Sequence, residues 1–357
     1  ATPDPYHTKE KRMPEHEGEA EASMHAFVDG IPKAELHVHV EGTLEPELKF
    51  ALADRNCLEL PYTSVEEMRS SYDFDDLPSF LAQYYEGMSV LIGEEDFYDL
   101  TMAYFTRVAA QNVVYVEMFF DPQAHTTRGI KFETVITGIR RAQVDASERF
   151  GIHSQLIMCF LRDMSAESAT ETLKQAESYR DLIVGVGLDS DEKGNPPIKF
   201  KDVFSAAREQ GYLLTMHCDV DQENSVSHLW QCLNEIGVDR IDHGVNSLED
   251  DNLVAEILRR GLGLTVCPIS NSYCSDTTKA TEIQQMLELG MLVTVNSDDP
   301  AYFPGYMTEN LLQVQQDVNL TKADIAQLVR NAFEASWLET GDRERYLGEV
   351  EAFVKVA

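Results

Sequence analysis

The sequence has no run near the roughly 18 unbroken apolar residues needed to span a bilayer. Its first residues, ATPDPYHTKEKRMPEHEGEAEAS, carry no apolar core of a secretory signal. Both absences turn the reading away from a membrane protein. Positive charge is scarce: 29 Lys and Arg stand against 62 Asp and Glu, for a net charge of −33. Such a surface repels phosphate backbones and anionic lipid, so nucleic acid and membrane are excluded as main partners and a small molecule is favoured. Paired cysteines are also missing. The six, at 57, 159, 218, 232, 267 and 274, form no CxxC, and most lie in apolar runs where a thiol packs as a small hydrophobe. That usage points to a reducing compartment, the cytoplasm. There is no Pro- or Ser-rich linker and no internal repeat, so the chain reads as a polar, mobile leader over 1–26 and a single domain over 27–357.

What the sequence does have is a rhythm. Short β-rich runs recur at 33–40, 113–120, 154–161, 181–188, 212–220, 239–245, 261–268 and 291–298. Stretches with apolar residues at three- and four-residue steps separate them, among them 133–150, 166–180, 197–210, 248–260 and 281–289. Eight strands alternating with helices predict a parallel (β/α)8 barrel of the TIM type. The segment 44–112 is long for one connection and predicts extra helices after the first strand, at 45–56, 77–91 and 94–111. The last 50 residues have a helical pattern too.

The informative residues end the strands. His37 and His39 lie two apart, so both leave one face of strand one. His217 ends strand five, Asp242-His243-Gly244 ends strand six, and Ser297-Asp298-Asp299-Pro300 ends strand eight. In this architecture the C-terminal strand ends converge on one mouth, where active sites form. A single His in an apolar strand is more often a hydrogen-bonded core residue, and Asp298-Asp299-Pro300 alone could be a turn. Together, three histidines and a carboxylate at one mouth suit a borderline divalent cation such as zinc.

With these residues in view, KAELHVHVEGTLEPEL, MFFDPQAHTTRGI, VGLDSDEKGNPP, DRIDHGVNS, LTVCPISN and VNSDDPAYFPGY resemble the adenosine/adenine deaminase family of the amidohydrolase superfamily, most closely its adenine deaminase branch. The resemblance runs from about residue 31 to about residue 340. It implies a zinc-dependent barrel hydrolase that replaces an exocyclic purine amine with oxygen, with one Zn2+ per chain. By the same resemblance His37, His39, His217 and Asp298 hold the metal. His243 orients the attacking water, Asp299 meets ring nitrogen N7, and the backbone N–H of Gly187 faces N3, a glycine there letting the ring approach closely.

One family feature is absent. The family reads His-Ala-Gly-Glu after the strand-five histidine, and its Glu protonates N1, whereas this chain reads His217-Cys218-Asp219-Val220. Asp219, Asp221 and Glu223 are the candidate replacements, and each could instead be solvated or cap the next helix. The implied substrate is adenine or an N6-substituted or related aminopurine. The alternatives are a deaminase of a non-purine heterocycle and a purine-binding protein without the acid. His125 could touch substrate or hold a loop, and the aromatic residues of 44–112 could form a lid or a helix-packing core.

Overall fold

Each of the eight β-rich runs forms a strand: β1 (Lys33–His39), β2 (Val113–Phe120), β3 (His153–Leu161), β4 (Ile183–Asp189), β5 (Leu213–Cys218), β6 (Arg240–His243), β7 (Gly263–Val266) and β8 (Leu292–Val295). The computed structural model describes residues 15–357. The strands lie in sequence order, each paired in parallel with the next. The ring closes where Val38 bridges Asp298, just beyond β8. There the His39 N–H donates to the Asp298 carbonyl at 3.0 Å, and the Asp298 N–H donates to the His37 carbonyl at 3.0 Å. Most strand residues are buried, because one face meets the barrel interior and the other the helical jacket. Hence the strands read as nearly continuous apolar runs without alternation. The expected (β/α)8 barrel is present.

Helices follow the predicted pattern. Phe132–Phe150, Ala166–Ala176, Lys201–Glu209, Asp251–Arg260 and Ala280–Glu288 occupy the connections. Gly151 (φ 68°) and Gly261 (φ 64°) end two of them in the left-handed conformation that a side chain disfavours. The insertion after β1 holds Pro46–Arg55, Val65–Ser70, Leu77–Gly87 and Glu94–Ala109. The helix Val65–Ser70 was not expected. It is short and weakly periodic, and Ser64 caps it by accepting the Glu67 N–H at 3.0 Å. Met307–Val318, Lys322–Ala335 and Thr340–Val354 complete the chain.

The polar N-terminal segment divides. Residues 1–14, part of the expected leader, lie outside the described residues, whereas the chain is helical over Glu15–Gly30. Phe27 and Val28 of that helix are buried. At the barrel end opposite the strand C-termini, the buried Arg240 guanidinium meets Glu117 at 2.6 Å and lies over the Trp337 ring.

Several predicted runs extend past their strands, and two of them do so where the backbone bears on function. His243 (φ 61°) and Asp298 (φ 64°) both adopt the left-handed region, which is uncommon outside glycine. The backbone turns there and directs both side chains into the mouth.

Candidate active site

Closure of β8 on β1 sets the centre of the site. The same backbone bonds that join His37, His39 and Asp298 put their side chains together. His37 Nε2 lies 3.1 Å and His39 Nε2 3.2 Å from Asp298 Oδ1. From β5, His217 Nε2 comes within 3.1 Å of His39 Nε2. All four residues are buried.

The opposite ring nitrogens explain why the Nε2 atoms point inward. His37 Nδ1 lies 2.8 Å from Thr265 Oγ1, His39 Nδ1 3.3 Å from Asp189 Oδ2, and His217 Nδ1 3.3 Å from Asp242 Oδ2. Acceptors at Nδ1 hold the proton there and leave a lone pair on Nε2, the usual arrangement behind a metal-binding imidazole. Two such lone pairs at 3.1 Å repel unless a cation lies between them. The donor set therefore fits a divalent cation, and His37, His39, His217 and Asp298 could hold it. His243 also has a nitrogen near this group, within 4.8 Å of donor atoms of His37, His217 and Asp298. These four form a group that leaves out His39, which the sequence reading placed among the ligands. His243 Nε2 lies 3.9 Å from Asp298 Oδ2 and 3.2 Å from Asp219 Oδ1, and its Nδ1 has no partner.

Around this centre is a cavity. Helix Leu77–Gly87 covers it with Leu77, Phe80, Leu81, Tyr84 and Tyr85, one face at helical spacing. Thus part of the insertion's aromatic content does line the cavity. Tyr72 and Phe74 pack behind it, against Tyr302 and Phe303 respectively. Asp219, Asp298, Asp299 and His243 line the opposite walls.

The acids have distinct environments. Burial raises Asp299, and the adjacent Asp298 charge raises it further, well above the usual carboxylate range. Burial opposes ionisation of Asp298, but His37 and the hydrogen bonds from His37 and His39 hold it well below that range. Burial and then the charge of Glu192 raise Asp219 to about 7. Its Oδ2 is buried without a hydrogen-bond partner.

Of the three candidate acids, only Asp219 reaches the cavity. The chain turns at Asp221 (φ 55°), whose carboxylate is exposed and bound by Lys279 at 2.8 Å and Asn246 at 3.0 Å. Glu223 is exposed on the same turn. Gly187 is also outside the cavity lining. It lies within β4, and a Cβ there would sit 2.8 Å from Cys159 Sγ, inside the barrel. Packing of the barrel interior therefore accounts for this glycine. Ser190, at the end of that strand with φ 78°, lines the cavity instead. His125 is buried, 2.9 Å from Glu41 Oε1, and holds a loop. The Cys218 thiol packs 3.5 Å from Cys232 Sγ, behind the strand.

Asp242, named in the sequence only as part of the strand-six end, stands behind His217. The site also uses residues that the sequence did not single out: Asp121, Asp189, Thr265 and Ser270. The last donates to Asp298 Oδ2 at 2.8 Å. Their shared signal was position, since Asp121, Asp189 and Asp242 all fall at C-terminal strand ends. Gly42 was missed as well, and a Cβ there would run into the Asp299 carboxylate.

A parallel eight-stranded barrel with a buried His/Asp cluster at its C-terminal mouth defines a class of hydrolytic scaffolds that bind a divalent cation. Comparison with known proteins identifies the family. The profile of the adenosine deaminase family matches residues 32–353, and the chain belongs to that family. It is 52% identical over 328 residues to an uncharacterized deaminase of Schizosaccharomyces pombe, covering 92% of this chain and 97% of that one. It is 47% identical over 324 residues to an adenine deaminase of Crocosphaera subtropica, covering 90% and 99%. The crystal structure of adenine deaminase from Arthrobacter aurescens superposes with a TM-score of 0.88 at 43% identity, covering 91% of this chain and all of that one.

Proposed function

We propose that this protein is a metal-dependent aminohydrolase that replaces the exocyclic amine of adenine, or of a closely related aminopurine, with oxygen. The observation that carries the reading is Asp219. An acid with a free buried oxygen faces the cavity beside His243 and the cation donor set, in a chain 47% identical to an adenine deaminase. We assign one zinc ion per chain, a choice the three-nitrogen, one-oxygen donor set supports. When bound, the cation supplies Lewis acidity that makes water nucleophilic at neutral pH.

The chain's own residues do the rest. His243 holds the attacking water and takes its proton, with Asp298 Oδ2 as the neighbouring acceptor. Asp219 delivers a proton to the ring nitrogen next to the carbon under attack, so that the ring does not accumulate negative charge. Asp299, kept neutral by burial and by Asp298, donates to N7. Ammonia leaves with the proton that His243 collected, and the proton of the new hydroxyl returns to Asp219 as the carbonyl forms. The helix Leu77–Gly87 excludes bulk water from the ring. The cytoplasm is the compartment we assign, supported by six free cysteines.

The test is turnover. Metal-replete protein is incubated with adenine, N6-methyladenine and a set of aminated pyrimidines while ammonia or amine release is followed. Adenine is expected to react fastest. A pyrimidine reacting faster than every purine would replace this reading, and no turnover of any heterocycle would end it.

A further inference from the structure

The chemistry above leaves part of the cavity wall unused. Asp121 Oδ1 and Asp189 Oδ1 are buried and have no hydrogen-bond partner, although both residues line the cavity. Asp121 is the N-cap residue of helix Pro122–Thr126, yet its side chain makes no capping bond. An Asp at that position ordinarily accepts an amide of the first turn. Here Glu41 Oε1 takes the Asp121 backbone N–H at 2.9 Å, and the carboxyl lies beside that of Asp189. Asp189 in turn braces His39 Nδ1 at 3.3 Å. A buried acceptor without a donor is destabilising. Burial and the Asp189 charge raise Asp121 well above the usual carboxylate range, and the two carboxyls share its proton. Beyond that proton no other described residue supplies a donor to either Oδ1, so a further donor is expected on a ligand.

The barrel order says which part of a ligand that is. Asp219 follows β5 and Asp299 follows β8, and the arc between them through β6 and β7 carries His243 and Ser270. A purine held between Asp219 and Asp299 at its N1 and N7 sides turns its remaining edge, N3 and N9, toward the arc from β2 to β4. Asp121, Asp189 and Ser190 stand on that arc. Beside them Tyr85, from the helix across the mouth, donates to Ser190 Oγ at 2.8 Å. This contact closes the wall through which an N9 substituent would have to project.

We infer that Asp121, backed by Asp189, accepts the imidazole N–H of a free purine base and so makes the enzyme select bases over N9-substituted purines; the inference rests on the aminopurine reading above. A free base carries that N–H, whereas a nucleoside, a nucleotide or a 9-alkylpurine lacks it. A site built to bond a substrate N–H rejects an analogue without one by as much as ~10⁴–10⁵-fold, because its own polar groups are left unpaired. Asp121 is thus a specificity-determining residue that touches the substrate away from the reacting carbon.

The experiment compares adenine with 9-methyladenine and adenosine on the metal-replete wild type, Asp121→Asn and Asp121→Ala, with metal content and melting temperature measured for each. The wild type is expected to favour adenine over 9-methyladenine by about 10³-fold or more in kcat/KM. In Asp121→Ala, adenine should lose about 10²-fold and 9-methyladenine should lose nothing, collapsing the ratio. Asp121→Asn keeps an oxygen acceptor and should fall between the two. Calorimetric binding of purine and 9-methylpurine, neither bearing an amine, reads the same subsite without turnover. Equal binding of these two by the wild type would overturn the inference, as would an unchanged adenine to 9-methyladenine ratio in Asp121→Ala. A second bound cation that Asp121→Ala removes would overturn it too, since His39, Asp121 and Asp189 would then be a metal site. If the wild type deaminates no purine but binds purine at least about tenfold more tightly than 9-methylpurine, the proposed function fails and the subsite stands.

Discussion

His39 and His217 aim their Nε2 atoms at each other across 3.1 Å, while their Nδ1 atoms turn outward to Asp189 and Asp242. The outer carboxylates fix the tautomer, and the inner lone pairs need a cation. Removing an outer carboxylate should therefore act on metal affinity. Asp242→Asn is expected to weaken cation binding by about 10–100-fold, measured by competition with a chelator. Unchanged affinity would show that Asp242 does not set the His217 tautomer.

The three acids after His217 separate cleanly in an activity assay. Asp219→Asn should lower kcat by about 10²–10⁴-fold, the usual worth of a positioned general acid. Asp221→Asn and Glu223→Gln should stay within about twofold, because exposed carboxylates held outside the cavity contribute little. Comparable losses in all three would remove Asp219 from the proton-delivery role.

Gly42 offers a test of Asp299 that leaves Asp299 itself intact. A Cβ at position 42 would occupy the space of the buried Asp299 carboxylate and displace it. Gly42→Ala should therefore raise KM and lower kcat for adenine while the bound metal stays near one equivalent. Loss of the metal instead would mean that the clash spreads to Asp298.

Lys33 gives a stability prediction. Its ammonium is buried, donating to the carbonyls of Asp29 at 3.0 Å and Ile31 at 2.9 Å. Burial lowers its pKa from 10.5 to about 7, against the pull of Asp29 and Glu309. Between these values the unfolded chain binds a proton that the folded chain does not, so this group makes the protein more stable as pH rises from about 7 toward 10.5. The penalty is fully present below pH 7. Lys33→Met should remove this contribution, and the melting-temperature difference between variant and wild type should shrink or reverse sign as pH rises. A difference that is constant across that window would contradict a depressed Lys33.

The barrel was legible because a parallel strand is buried on both faces and so writes an apolar run. The helix Val65–Ser70 left no such trace, being too short for periodicity and resting on one cap at Ser64. Strand-end histidines and Asp298 could be read because few other roles put those residues there together. The acid could not be chosen from sequence. Asp219, Asp221 and Glu223 differ in direction through the turn at Asp221, and direction depends on φ, which residue type alone does not reveal. Gly187 illustrates the converse. A glycine is a real signal of close approach, but the approaching atom is the neighbouring Cys159 sulphur.

Asp298 joins β8 to β1 through its backbone and meets His37 and His39 through its carboxylate. One residue is thus both the seam of the barrel and the oxygen donor of the cluster. A growing chain that has reached only residue 290 already contains His37, His39, His217 and His243, yet has neither a closed ring nor that oxygen. Cation uptake with the full donor set must therefore wait for the last strand, which makes the loaded metal a report on completed folding.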